Sequence, residues 1–92
     1  MSWDDFTACA GRDGEILVEI GEDGVKEIAG LWKMLPQDVK AMLIASARWG
    51  AGYLEAALAA VGVVAAEAIA VVAAGAGLGV IMAVIMDCYD HL

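Results

Sequence analysis

Basic residues are scarce in this chain of 92 residues, which has five Lys and Arg residues against 13 Asp and Glu residues. None of the five lies after Arg48. Nucleic-acid binding depends on Lys and Arg side chains that neutralise phosphates, so a net charge of −8 argues against that function. It also argues against recruitment to anionic lipid, which needs a polybasic segment. Any contact with a bilayer would therefore depend on apolar residues.

Residues that typically form catalytic or metal sites are also few. The only histidine, His91, lies among Asp87, Cys88 and Asp90 near the C-terminus. Adjacent hard and soft ligands suit no single metal, so we interpret this tail as a frayed polar terminus. The glycines at 75, 77 and 79 do not have the spacing of a dinucleotide-binding loop. The sequence therefore predicts no enzyme activity, no cofactor, no metal and no small-molecule substrate.

The chain has two cysteines, one near each end, Cys9 and Cys88. They could form one disulfide, but sequence does not reveal their proximity. Two free thiols in a reducing cytosol are the favoured interpretation. The N-terminus lacks the basic and apolar regions of a secretory signal. We therefore expect a chain made without a signal peptide, cytoplasmic before any insertion.

Apolar residues are abundant, at 62% of the chain against roughly 45–50% in ordinary domains. Many are Ala, Val and Gly, which pack helices closely but each bury little area. The composition changes near Gly50. Residues 1–49 are predicted to be an acidic amphipathic helical region, and residues 50–92 a hydrophobic helical segment with a polar tail. Together they should form one structural unit of the mainly α class.

Turn residues divide the first region into short elements. Ser2 and Gly11 predict a helix over residues 2–10. Residues 15–20 alternate at period two, which favours a short strand, with a helix as the alternative. Turns are expected at 12–14 and 21–24, with Asp23 as a helix N-cap. An apolar stripe then predicts a helix that ends before Pro36, followed by another that ends at Trp49.

The second region is dominated by residues with high helix propensity. Alanine-rich residues 53–74 predict a long helix, and residues 75–79 a turn or kink. One bent helix and a helical hairpin both remain possible for residues 53–92. Ala68–Met86 is a run of 19 uncharged residues, close to the roughly 20 that span a bilayer. A buried helix of a soluble bundle is the alternative interpretation.

Small residues recur in this region at helical spacing. Such rows let helix backbones approach closely, and they are typical of membrane helix interfaces. We therefore predict a helix-packing and oligomerisation surface made of Gly62, Ala66, Ala70, Ala74, Gly75 and Gly79.

One carboxylate and two aromatic residues complete the candidate sites. Glu67 lies between two long uncharged stretches, and burying an isolated charge is costly. It is either a buried or pore-facing carboxylate or part of a solvent-exposed stripe. Trp49 and Tyr53 flank the start of the apolar region, as aromatic residues do at membrane–water interfaces.

These patterns lead to three functional hypotheses. The first is a membrane-active helical protein that inserts its C-terminal segment, self-associates and permeabilises a bilayer, as a pore-forming toxin would. The second is a soluble structural protein that forms a homo-oligomer or filament through the apolar helix. The third is a precursor cleaved near Arg48. In composition, residues 50–86 resemble anionic helical bacteriocins and are similar to small pore-forming effectors and holin-like proteins, which implies membrane activity.

Overall fold

The computed structural model describes residues 2–92, which form seven α-helices and a terminal 3₁₀ helix with no strand among them. The mainly α prediction is confirmed. The α-helices are α1 (Trp3–Ala10), α2 (Arg12–Ile20), α3 (Glu22–Met34), α4 (Gln37–Trp49), α5 (Ala51–Ala60), α6 (Ala66–Ala76) and α7 (Leu78–Cys88), and the 3₁₀ helix is Tyr89–His91.

The first helix begins and ends where the sequence predicts. The Ser2 hydroxyl accepts a hydrogen bond from the Asp5 backbone N–H at 3.3 Å, which caps the exposed N-terminus of α1. Gly11, with φ of 63°, ends the helix. Local signals within ten residues were therefore enough to define α1.

The predicted strand at residues 15–20 is wrong, because these residues belong to α2. Gly14, Leu17 and Ile20 are buried at helical spacing, while Val18 is exposed. A Cβ atom on Gly14 would lie 2.6 Å from the Thr7 carbonyl oxygen, so this glycine lets α2 approach α1 closely. The turn expected at 12–14 is wrong, because these residues begin α2 and the chain turns at Gly11 instead. The turn expected at 21–24 is limited to Gly21, which is the N-cap of α3 in place of Asp23.

Pro36 separates α3 from α4, as predicted. Lys40 on α4 places its Nζ atom 5.6 Å from the centre of the Trp32 ring on α3. Leu43 and Ser46 of α4 are buried, whereas Met42 is exposed. The Ser46 hydroxyl is satisfied by donating to the Met42 carbonyl at 2.9 Å.

The long helix predicted for residues 53–74 is interrupted. α5 ends at Ala60, a turn occupies 61–65, and α6 begins at Ala66. Gly62 has φ of 95°, a conformation that residues with a Cβ atom rarely adopt. A second break falls at Gly77, inside the predicted turn at 75–79, and turns the chain by 107° into α7. α5 packs against α6 and α4, and α7 packs against α1, α3 and α6.

Both halves of the chain supply the core. The fully buried side chains of the first half include Phe6, Val25 and Ile28. Those of the second half come from α5, α6 and α7 and include Leu54, Leu58, Ile69, Leu78 and Ile85. All belong to one continuous apolar cluster. The acidic half therefore covers part of the apolar half.

Candidate functional site

The two aromatic residues at the junction of the halves form an exposed pair. Gly50, with φ of 136°, ends α4 directly after Trp49 and starts α5 just before Tyr53. The two rings meet edge to face with their centres 5.9 Å apart. Trp49 is 71% exposed and Tyr53 is 64% exposed. Such large aromatic residues usually bury most of their area, so this placement leaves apolar surface without a partner inside the chain.

Small and apolar residues continue this surface along both helices. On α4, Met42, Ala45 and Trp49 recur at three and four residues, and all are exposed. Tyr53 and Ala56 share a face of α5 in the same way. A shallow hollow lies between the rings and Ala56. These five residues, which carry no charge, are called the aromatic face below.

Glu67 is not buried. It is an exposed residue in the first turn of α6, where a carboxylate complements the partial positive charge of the helix N-terminus. It lines a shallow groove with Glu19 of α2 and the exposed Val64 and Val71. The prediction of a buried carboxylate is therefore wrong for this fold, and the solvent-exposed alternative fits Glu67.

A carboxylate that sequence analysis overlooked fixes the turn between α5 and α6. Glu27 on α3 accepts hydrogen bonds from the backbone N–H groups of Val64 at 3.0 Å and Ala65 at 2.9 Å. Ala65, the N-cap residue of α6, has no side-chain cap of its own. Glu27 therefore supplies from another helix an acceptor for the N-cap N–H, the group that a Glu at position N3 binds in a capping box.

The predicted small-residue row does not lie on one helix. Gly62 is in the turn before α6, and Gly79 is beyond the break, in α7. Ala66 and Ala70 are buried against the chain's own helices. Ala74 and Gly75 are exposed near the end of α6. Only part of the row is therefore accessible to a second molecule in this fold.

A disulfide joins Cys9 of α1 to Cys88 of α7, with their Cα atoms 5.7 Å apart. The expectation of two free thiols is therefore wrong. The 79 residues of separation between the cysteines enclose most of the chain in one covalent loop. Cys9 is an exposed residue, whereas Cys88 is only 4% exposed.

The C-terminal tail is folded rather than frayed. The 3₁₀ helix packs against α1, and Lys33 of α3 places its Nζ atom 3.5 Å from the centre of the Tyr89 ring. Cys88 is bonded to Cys9. Across residues 2–92, no group of three or more His, Cys, Asp and Glu residues is arranged to hold a metal ion.

Within the part of the chain that the structure describes, no single helix has the length and hydropathy of a membrane span. Ala66–Ala76 and Leu78–His91 meet those criteria together, as a pair with a bend of 107°.

Comparison with protein-family models, with curated proteins and with solved structures finds no match to this chain.

Proposed function

We propose that this chain is a small membrane-active protein that contacts a bilayer through the aromatic face and then inserts and self-associates through α6 and α7. The observation that carries the proposal is the exposed Trp49–Tyr53 pair at the boundary with the apolar half. Trp and Tyr favour the bilayer interface because one part of each ring system is apolar and another can donate a hydrogen bond. An exposed apolar surface of this kind is typical of an interaction site.

The distribution of charge supports a membrane partner for the second half. Residues 50–92 contain four carboxylates, Glu55, Glu67, Asp87 and Asp90, and all four are exposed. The buried faces of α5, α6 and α7 are therefore free of charge, and they could exchange protein contacts for lipid contacts without carrying an ion into the hydrocarbon region. The bent pair of α6 and α7 supplies enough apolar length for a broken span or a re-entrant loop.

The net charge specifies the kind of bilayer. A chain of charge −8 is repelled by anionic headgroups, so zwitterionic membranes should bind it better. This preference is opposite to that of cationic membrane-active peptides. It should weaken as salt screens the repulsion.

Dye leakage from vesicles tests the proposal directly. We expect wild-type protein, assayed both with and without a reductant, to release dye from zwitterionic vesicles, and to release less from vesicles rich in anionic lipid. Replacing the aromatic pair, as in W49A/Y53A, should abolish binding, because it removes most of the exposed aromatic area. Met34→Ala is the matched control, since Met34 is exposed but lies outside the aromatic face. Equal leakage by W49A/Y53A and wild type, or no leakage from any vesicle, would contradict the proposal.

The groove at Val64 and Val71 favours a second candidate, a soluble homo-oligomer. Val64 is 90% exposed although it is apolar, and Val71, which lines the same groove, is 61% exposed. A partner copy that covers both valines would remove this area from water. Light scattering in plain buffer separates the two candidates: a discrete oligomer without lipid supports the second, and a monomer that assembles only with vesicles supports the first.

The precursor hypothesis acquires a further requirement from the disulfide. Arg48 is exposed and lies in the last turn of α4, so cleavage there remains a proposal. Cleavage alone would leave the two pieces joined through Cys9 and Cys88. Release of an apolar peptide therefore requires reduction as well, and intact-mass measurement with and without a reductant would detect each step.

A further inference from the structure

We propose that the Cys9–Cys88 disulfide is a site of thiol–disulfide exchange with a protein dithiol, and that the attack falls on the sulfur of Cys9. Reduction removes the covalent link between α1 and α7 and so permits α6 and α7 to leave the bundle. This last step rests on the proposed membrane activity, whereas the exchange site does not.

Exposure determines which sulfur is attacked. A thiolate approaches a disulfide along the S–S axis, from the side opposite the leaving sulfur. Cys9 is an exposed residue on α1, and of the two cysteines it is the one that solvent reaches. Cys88 is 4% exposed and is the last residue of α7, which packs against α1 and the 3₁₀ helix. The attacking thiolate therefore bonds to Cys9, and Cys88 is the leaving thiolate.

Charge determines which reductants react well. Asp87 and Asp90 flank Cys88 in sequence, and the whole chain carries a charge of −8. Glutathione is itself an anion at neutral pH, so both its approach and its accumulation near the bond are disfavoured. A dithiol protein with a neutral or basic surface around its reactive cysteine suffers no such repulsion. The negative charge of the chain thus favours a CxxC oxidoreductase as the partner over the glutathione pool.

The exchange balances in two steps. The first thiolate of the dithiol bonds to the Cys9 sulfur, the S–S bond breaks, and the Cys88 sulfur leaves with the electron pair and takes up a proton. The second thiol of the dithiol, after losing its proton, attacks its neighbour in the mixed disulfide and expels the Cys9 thiolate, which is protonated. The dithiol loses two electrons and becomes a disulfide, while the chain gains two thiols.

The disulfide joins the acidic half of the chain covalently to the apolar half. Cys9 belongs to the acidic half, and Cys88 is the last residue of the apolar α7. Two noncovalent polar contacts also join the halves, the Glu27 carboxylate on the turn before α6 and the Lys33 ammonium over Tyr89. Both can break and re-form on thermal timescales, whereas the disulfide cannot. After reduction, the two halves are therefore held together only by contacts that can break and re-form.

Trapping the mixed disulfide tests the exchange site without reference to membranes. Folded protein is incubated with a CxxC oxidoreductase whose second cysteine is replaced by serine, quenched with acid, and mapped by peptide mass spectrometry. We expect the adduct on Cys9 in at least tenfold excess over Cys88, and reduction by the intact oxidoreductase at least tenfold faster than by glutathione at equal thiol concentration. An adduct mainly on Cys88, or exchange only after addition of denaturant, would overturn the assignment.

Vesicle leakage then tests the release of the apolar helices. Oxidised protein, reduced protein and the permanently open variant C9A/C88A are compared on zwitterionic vesicles, and circular dichroism reports whether each is still helical. Leakage should rise at least fivefold on reduction, and C9A/C88A should leak without reductant. Equal leakage by all three would overturn the control by reduction and leave the membrane activity intact. No leakage by any of them, with the adduct still on Cys9, would overturn the membrane activity and leave the exchange site.

Discussion

The two halves of this chain use helices in different ways. In residues 1–49 charged and apolar residues alternate, so each helix has a polar side and an apolar side that the sequence itself defines. In residues 50–92 there are only four charged residues, so most faces of α5, α6 and α7 are chemically alike. The sequence of the first half therefore specifies which side of each helix faces the core. The second half takes its orientation from contacts with the first.

Besides the shared apolar core, two of those contacts are polar or covalent and come from specific residues. Glu27 accepts hydrogen bonds from the two backbone N–H groups just before α6, and the Cys9–Cys88 bond attaches the last residue of α7 to α1. An apolar segment with good helix propensity thus needs polar and covalent partners elsewhere in the chain to adopt one arrangement. Mutations can test this dependence in both halves.

The largest expected effect is that of removing the disulfide. By the chain-entropy account, opening a loop of 79 residues lowers the free energy of unfolding by about 4.5 kcal/mol. Urea denaturation of the oxidised protein, the reduced protein and C9A/C88A measures this change, and the reduced wild type separates the lost cross-link from the altered side chains. If all three share one midpoint, the halves hold together without the bond.

Truncating one fully buried residue in each half compares their packing. Ile28→Ala in α3 and Leu58→Ala in α5 both create a cavity at a site with no exposed area. Each should lower the free energy of unfolding by about 3 kcal/mol, the usual cost of such cavities. A much smaller loss for Leu58→Ala in the same denaturation assay would mean that the apolar half is loosely packed.

Removing the charge of Glu27 should release the turn at residues 61–65. Glu27→Gln retains one acceptor oxygen but points an amide N–H₂ group at a backbone donor, which should cost about 1–2 kcal/mol. Amide hydrogen exchange should accelerate at Val64 and Ala65 in particular. Glu55→Gln is the matched control, because Glu55 is an exposed carboxylate on the neighbouring helix. Equal effects of the two substitutions would contradict a specific role for Glu27.

The smallest effect concerns the small-residue row. A Cβ atom on Gly75 would meet nothing within 4 Å, so Gly75→Ala should raise the free energy of unfolding by about 0.5–1 kcal/mol. Gly30→Ala in α3 has equally open surroundings and should give a similar gain. Only Gly75→Ala should weaken self-association in detergent, measured by analytical ultracentrifugation. Unchanged association would remove Gly75 from the predicted interface.

The elements that were predictable from sequence have their signals close by. Ser2 and Gly11 mark the ends of α1, and Pro36 separates two amphipathic helices. The strand at residues 15–20 was a wrong prediction because its alternation was too short to outweigh helical packing. Burial at Gly14, Leu17 and Ile20 favours the helix, and no other strand is available among the described residues to pair with it.

The candidate site was predictable only in part, for a related reason. The exposure of Trp49 and Tyr53 agrees with their position at the change in composition. To predict that Glu67 is exposed, one must know where α6 begins. The turn before α6 is bound by Glu27, 37 residues from Val64. The bond between Cys9 and Cys88 likewise depends on the fold as a whole. Contacts at such separations leave no periodic trace in a single sequence.

The carboxylate on the turn before α6 also has a consequence for the order in which the protein is assembled during synthesis. The chain emerges from its N-terminus, so Glu27 precedes Val64 and Ala65 and can be held by α3 before they appear. The alanine-rich segment would otherwise extend as one helix while it waits for its partners. A second half synthesised without the first would keep its glycines at 62 and 77, but it would lack the Glu27 acceptor at the turn before α6.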